Sequence, residues 1–553
     1  MARIIKVNYK DLEMKEFEAG VTLKEISKSF KNHFNYPILV GKVDNNIEEL
    51  NEVINRSCSV EFFDRSTGLG NGIYGRTLQF MVIVAAKRLY GKETEVIIHH
   101  SIDKGFFCEI IGVEIDKASV KDIENEMKKL SKEDLIINKV SVSRFDAIKY
   151  FKKNKQIDKV KVLKYISNSY INLYRIDNIY DYFYGELAYS TRDIDDFALT
   201  YISGNGFVAS YPDTYNPECT LSYKHHEMLF NTFYDYTKWG SEIGINNAAD
   251  LNEVVSKGEY NRLIHVAETY YNNQLSKIAD EIYNNRKRIK IVLIAGPSSS
   301  GKTTTSKKLE MHLQSKGIKT HQISIDDYFL DRDKTPKLEN GELDLESLNA
   351  VDVTLFNKHL TKLLEGERVE LPEYNFVLGK REYKGKNLLL GDNDMIIIEG
   401  LHGLNEDLTS SIERNKKYKI YISPLTQLNI DNHNRIHTSD TRKLRRIIRD
   451  NKYRSYSASE TLSMWKNIRE GEEKYIFPYQ DDADTIINSA LIYELGILKT
   501  YAEPLLFSVE ESDPMYSEAL RLINFLRNFL PIPSEEVPSD SVLREFIGGS
   551  CFK

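Results

Sequence analysis

Short apolar runs broken by polar turns open the chain. Ile4 to Val7 and Glu13 to Phe17 read as a hairpin, and Thr22 to Phe30 has the apolar spacing of an amphipathic helix. Pro37 to Val43 and Ser59 to Phe63 read as further short strands, so residues 1–62 are expected to form a small α/β unit. Residues 226–286 read as a helical connector, through Leu251 to Val255 and then Leu263 to Tyr283. From Arg288 to Lys499 the pattern changes. Apolar strands, Ile289 to Ala295, His321 to Ile325 and Met395 to Ile398, alternate with helical stretches, as a parallel sheet requires. The last segment, 501–553, has a helix around Glu518 to Phe529 and a Pro-rich elbow at Pro531, Pro533 and Pro538 leading to Leu543–Phe546. No function is legible in it.

At 553 residues the chain is too long for one core, and several domains are expected. Charged residues at 28% and hydrophobic ones at 41% are ordinary for globular protein, and the formal charge of −7 argues against wholesale coating of nucleic acid. Cys58, Cys108, Cys219 and Cys551 lie far apart, which disfavours a disulfide scaffold or a cysteine zinc site and fits a reducing cytoplasm. The start, Met1 to Val7, meets charge too early for a signal peptide, and runs such as Phe80 to Ala86 are too short to span a membrane. A cytoplasmic protein with no membrane partner is expected. The pairs His99–His100 and His225–His226 are read as ordinary histidines, because adjacent side chains on a strand or helix do not converge on one metal.

The chemistry is concentrated behind the strand Ile289 to Ala295. Residues 296–303 read GPSSSGKT and lead into a helical stretch, giving strand, loop and helix in sequence. Glycines let successive N–H groups turn inward, Lys302 adds a positive charge, Thr303 offers a hydroxyl to Mg²⁺, and the helix presents its positive end. The pattern implies a nucleoside triphosphate held by Gly296, Ser298, Ser299, Ser300, Gly301, Lys302, Thr303 and Thr304. A second apolar strand ends in Asp326–Asp327, where a carboxylate can accept a hydroxyl proton and bind Mg²⁺ through water. A third delivers Glu399, a second metal-side carboxylate. Arg442, Arg445, Arg446 and Arg449 then fall on one helical stripe. Such a stripe repels itself unless anions lie opposite. It is read as a lid whose guanidiniums clamp a transferring phosphoryl group, with a solvated basic face or RNA patch as the plainer alternative.

Three resemblances extend this reading. Residues 1–62 resemble the TGS domain, a β-grasp module of threonyl-tRNA synthetases and some GTPases. Residues 63–225 resemble the editing domain that follows TGS in those synthetases. Ile73 to Tyr90 lines up with that family's HxxxH helix, His100 to Phe107 with its following turn and strand, and Asp181 to Leu187 with its DxCxGPH segment. The four metal-site positions are Arg76, Phe80, Phe183 and Leu187 here, so the resemblance implies a domain that has lost that hydrolysis. GPSSSGKT, SIDDYF, PEYNF (372–376), IIIEG, DTRKLRRIIRD and Asp484 to Ile487 follow the order of uridine kinase and phosphoribulokinase.

That resemblance implies a P-loop kinase over 287–500 within a multidomain α/β and α+β chain. Asp326 would be the base, and Lys302 and Thr303 would hold ATP·Mg²⁺, with Thr303, Asp326 and Glu399 on the metal. Asp326, Tyr328, Asn349, Tyr374, Arg442 and Arg454 would contact the acceptor, and Arg442 and Arg445 would act as catalytic arginines. Gly379, Asn349 and Met464 stand where uridine kinases have polar pocket residues, so a hydroxyl acceptor, most plausibly a nucleoside 5′-OH, is a firmer expectation than uridine. The competing reading is a nucleotide-gated RNA-binding or translation-associated factor, with RNA contacted by the front half. A homo-oligomer is left open.

Overall fold

The computed structural model describes residues 3–10, 12–337, 341, 343–344, 346–375, 378–426 and 428–552. Phe376 of the PEYNF segment lies outside the described residues.

The first sheet has five strands in the order Glu13–Glu18, Ile4–Tyr9, Cys58–Phe63, Val40–Val43, Asn46–Glu48. Ile4–Tyr9 pairs antiparallel with Glu13–Glu18 and parallel with Cys58–Phe63. The helix Leu23–Lys28 starts where a strand-like pattern gives way to a capping box between Thr22 and Glu25. Its Leu23 and Ile26 pack with Val7, Val60 and Phe62. The expected strand from Pro37 begins only at Val40.

A second core surrounds the 23-residue helix Gly68–Tyr90, which lies against the antiparallel sheet Ala198–Ser203, Gly206–Ser210, Gly105–Ile111, Glu95–Ile102. A smaller sheet, Asn138–Ser143, Tyr170–Ile176, Ile179–Tyr182, carries the helices Arg144–Lys153 and Ile157–Lys164. The connector comprises the helices Glu227–Glu242, Ala248–Ser256 and Tyr260–Asn284.

The third core is a five-stranded parallel sheet ordered Lys319–Ser324, Asp394–Glu399, Ile291–Ala295, Lys417–Ser423, Thr485–Asn488. Ile291–Ala295 is buried along its whole length, as a central strand covered on both faces must be. Because all five strands point the same way, the phosphate loop, Asp326 and Glu399 all leave the sheet at its carboxyl edge, where α/β sheets bind ligands.

The front unit is joined to this sheet through residues 429–434. Ile98 N–H donates to Asn432 O at 2.7 Å, and Asn429 Nδ2 donates to Ile98 O at 2.7 Å. Beside them Lys159, Asp181 and Asp431 are fully buried, with Lys159 Nζ 2.8 Å from Asp181 and 3.0 Å from Asp431. His433 Nδ1 is 2.6 Å from the other Asp181 oxygen. Burial works against all of these charges. The cations beside Asp181 nevertheless hold its carboxyl far below the usual range, and the two carboxylates hold the Lys159 ammonium above its own.

Candidate active site

The phosphate loop is shaped by close approach. A Cβ on Gly296 would lie 2.0 Å from Ile422 O, so no other residue fits there. Gly301 turns into the helix Lys302–Gln314 at φ +88°, against the Val542 side chain. Lys302 Nζ donates to Gly296 O at 2.9 Å and Pro297 O at 3.2 Å. Thr303 Oγ1 lies 3.2 Å and 3.3 Å from the two Glu399 oxygens, so the hydroxyl and carboxylate expected at a metal do meet. The hydroxyls of Ser299 and Ser300 are buried and, among the described residues, unpartnered.

These groups feel one another. Burial lowers the Lys302 ammonium against the opposing pull of Glu399, Glu545 and Asp326. Burial raises the Glu399 carboxyl to about 6; Lys302 opposes the shift and Asp326 and Glu545 add to it. Asp326 opens to solvent at the crevice, yet protein crowds it enough to raise its carboxyl, with Lys302 and Arg454 opposing and Asp327 adding to the shift.

A divalent cation fits this donor set. Mg²⁺ takes oxygen ligands, keeps several waters, and is usually held by one or two carboxylates plus phosphates. Among the described residues no group of three or more His, Cys, Asp or Glu side chains could hold a metal.

The arginine stripe corrects the expectation. Arg442 and Arg445 are buried in the helix Thr438–Arg454 and already paired. Arg442 Nη2 bonds Glu472, and its Nε donates to Ser298 O at 2.9 Å. Arg445 contacts Glu494 at 2.7 Å and donates to Ser489 O at 2.8 Å and Ser299 O at 3.4 Å. They brace the phosphate loop from behind by its carbonyls, so neither is free to clamp a phosphoryl group. Arg446, Arg449 and Arg454 gather on buried Asp450, at 3.0, 2.9 and 3.5 Å, and Arg446 Nη1 also donates to Ser298 Oγ at 2.6 Å. Arg449 and Arg454 are the ones whose charge reaches Lys302 and Asp326.

One acceptor position is also corrected. Tyr328 is core: its ring packs edge-on against Phe356 and its hydroxyl meets His359 Nδ1 at 3.1 Å. Asn349 is exposed on the turn Leu348–Ala350. Tyr374 does reach the site's flank, buried against Phe329, with its N–H 3.3 Å from Asp327 Oδ1. Gly379, at φ +64°, sits under the Arg332 side chain.

Sequence reasoning missed Glu472, Glu494, Asp450 and Glu545, the anions facing the stripe and the loop. It also missed Glu346, a half-buried residue whose carboxyl is raised by desolvation and senses Glu472, Lys302, Arg446 and Asp326. Apart from Asp450, which closes the DTRKLRRIIRD motif, none belongs to a recognisable spacing.

Residues 291–493 match the family model described as Phosphoribulokinase / Uridine kinase family. Over those residues the chain is similar to that family. Its parallel sheet and phosphate loop are those of a P-loop kinase, and the family match supports ATP-dependent phosphotransfer to a small molecule. Among solved structures, a possible uridine kinase from Bacillus stearothermophilus is 20% identical, covering 36% of this chain and 89% of its own, at a TM-score of 0.24. A D-glycerate 3-kinase from Cryptococcus neoformans var. grubii is 18% identical, covering 49% and 89%, at a TM-score of 0.21. The N-terminal region is similar to threonine–tRNA ligases such as that of Francisella tularensis subsp. novicida (strain U112), 27% identical over 202 residues. That match covers 36% of this chain and 32% of the relative, so the chain spans about a third of the curated relatives it matches.

In the ligase-like region the four altered positions come together. Phe80 and Phe183 pack with ring centroids 5.3 Å apart, and Arg76 lies against Gly185 and bonds Glu186 O. Leu187 is buried in the same core. Apolar contacts and one guanidinium therefore surround the four positions that the resemblance singled out. Among the described residues no helix is long and apolar enough to cross a membrane.

Proposed function

We propose that a kinase unit spanning 287–500 transfers the γ-phosphate of ATP to a hydroxyl of a small molecule, with a nucleoside 5′-OH as the acceptor. The observation that carries this reading is the meeting of Lys302, Thr303, Glu399 and Asp326 at one carboxyl edge, within mutual electrostatic reach. In it, the loop 296–304 holds the triphosphate, and Lys302 leaves the loop carbonyls for the β and γ oxygens. Thr303, Glu399 and Asp326 would hold Mg²⁺. Once bound there, Mg²⁺ supplies charge neutralisation on the β and γ oxygens. Asp326 takes the proton of the attacking hydroxyl, and its raised carboxyl makes it the better base. Arg449 and Arg454 supply positive charge at the crevice, while Arg442 and Arg445 keep the loop carbonyls turned away from the phosphates. Upstream, we assign 1–62 as TGS-like, 63–225 as editing-like without metal ligands, and 226–286 as connector; 501–553 is an extension.

The test is a panel of nucleosides and related alcohols incubated with Mg·ATP, scored for ATP consumed and for a phosphorylated product. A nucleoside 5′-monophosphate supports the reading. A phosphorylated sugar or glycerate keeps the kinase and moves the acceptor, and no organic phosphate from any alcohol removes the reading.

One observation favours a second reading, a nucleotide-gated RNA-binding factor. The ligase-like front is bonded to residues 429–434, which run directly into the arginine helix bracing the phosphate loop. Nucleotide-dependent, salt-sensitive binding of bulk tRNA would support it.

A further inference from the structure

The extension beyond residue 500 packs against the phosphate loop and the helix that follows it. Its short helix Arg544–Ile547 brings Glu545 to the first turn of the loop helix, where Glu545 Oε2 accepts the Thr304 N–H at 3.1 Å and the Thr304 hydroxyl at 2.8 Å. The segment is firmly seated: Ser541, Val542, Leu543, Phe546 and Ile547 are buried. Val542 fills the space that a side chain on Gly301 would need. Lys308 Nζ bonds Asp540 at 2.7 Å, Lys452 Nζ bonds Ile547 O at 2.8 Å, and the Phe546 ring lies 5.0 Å from the Arg445 guanidinium.

First-turn N–H and hydroxyl groups of a phosphate loop are the donors that receive phosphate oxygens. Glu545 takes two of them at Thr304 with a carboxylate, an anion that makes the same hydrogen bonds. Its charge also reaches Lys302 and Glu399, the groups on either side of the triphosphate path. A phosphate oxygen and this carboxylate cannot share the same two donors, and their like charges repel.

We propose that Glu545 is a resident phosphate mimic that nucleotide must displace from Thr304, so that the C-terminal helix sets the affinity of the loop for the triphosphate. This rests on the reading of 296–304 as an ATP site. It gives the extension a role: the donor site is complete only when the segment around 545 shifts, and occupants with fewer phosphate oxygens at the first helical turn compete with Glu545 less.

The test is calorimetric titration of the full chain with Mg·ATP, in the wild type, Glu545→Gln, Glu545→Ala and Lys302→Ala. Removing one charged hydrogen-bond competitor should tighten Kd by about tenfold in both Glu545 variants. Hydrogen exchange of the wild type provides a measurement independent of the variants' folding. Mg·ATP should accelerate exchange of the Phe546, Ile547 and Gly548 amides, which bond Leu543 O and Arg544 O. Unchanged or weaker affinity in the Glu545 variants, or unchanged protection of those amides, overturns the inference while Lys302-dependent binding leaves the ATP site standing. Weaker binding would place Glu545 among the metal-side carboxylates. Binding indifferent to Lys302→Ala, or no binding by any variant, removes the ATP-site reading and this inference with it.

Discussion

Replacing Arg445 by Met separates two roles that its position on the stripe left open. The guanidinium is fully buried, with Glu494 at 2.7 Å and carbonyls of Ser489 and Ser299 as further acceptors. Glu494 is itself buried, and burial raises its carboxyl while Arg445 pulls it back. Without Arg445, Glu494 must either stay charged with no counter-ion or take up a proton. Breaking such a pair from one side costs about 3–5 kcal/mol. In a unit of roughly 200 residues that is a fall of about 10 °C in melting temperature. Arg445→Met combined with Glu494→Leu should recover most of the loss, because apolar replacement of both partners is often neutral. The assay is thermal and urea unfolding of the full chain followed by tryptophan fluorescence, since Trp465 lies against Arg442 on the same helix. The single variant should destabilise and the double should restore. If Arg445→Met melts like the wild type yet loses phosphotransfer, the structural assignment is wrong and Arg445 belongs in the reaction.

Glu399 gives a pH dependence with a definite sign. Its carboxyl is raised from 4.5 to about 6, so the folded state favours the protonated form. The associated stability is complete below the unfolded value and is lost as pH rises through about 6, a change of about 2 kcal/mol. Mg²⁺ needs the ionised form, so Mg²⁺-dependent ATP affinity should rise steeply from pH 5 to 6 and level off near pH 7, and Glu399→Gln should flatten that profile. Lys159→Met strands Asp181 and Asp431 in the joint and should cost about 3–5 kcal/mol. By calorimetry it should also split melting into separate front and kinase transitions, whereas an unchanged endotherm would show that the network does not couple them.

What could be seen in the chain follows from how local each signal is. The phosphate loop was legible because eight consecutive residues carry its geometry, and Asp326 and Glu399 because each ends an apolar strand. Phe80 and Phe183, which the ligase resemblance singled out in two short segments, do pack together. The stripe showed its periodicity but not its partners. Glu472 and Glu494 come from later helices, and only the fold turns Arg442 and Arg445 inward. Tyr328 was placed at the acceptor by the kinase resemblance alone; His359, on a separate helix, meets its hydroxyl. Glu545 lies 241 positions from Thr304, in a segment whose pattern spoke only of a short helix.

The account turns on Asp326 as the proton acceptor for an incoming hydroxyl. Single-turnover transfer from γ-labelled ATP, in the wild type and in Asp326→Asn, tests it most directly. Label should pass to the organic acceptor in the wild type and do so about 10²–10⁴-fold more slowly in the variant, with ATP still bound. Transfer at the wild-type rate in Asp326→Asn, or label released only as inorganic phosphate by the wild type with every acceptor, would contradict it.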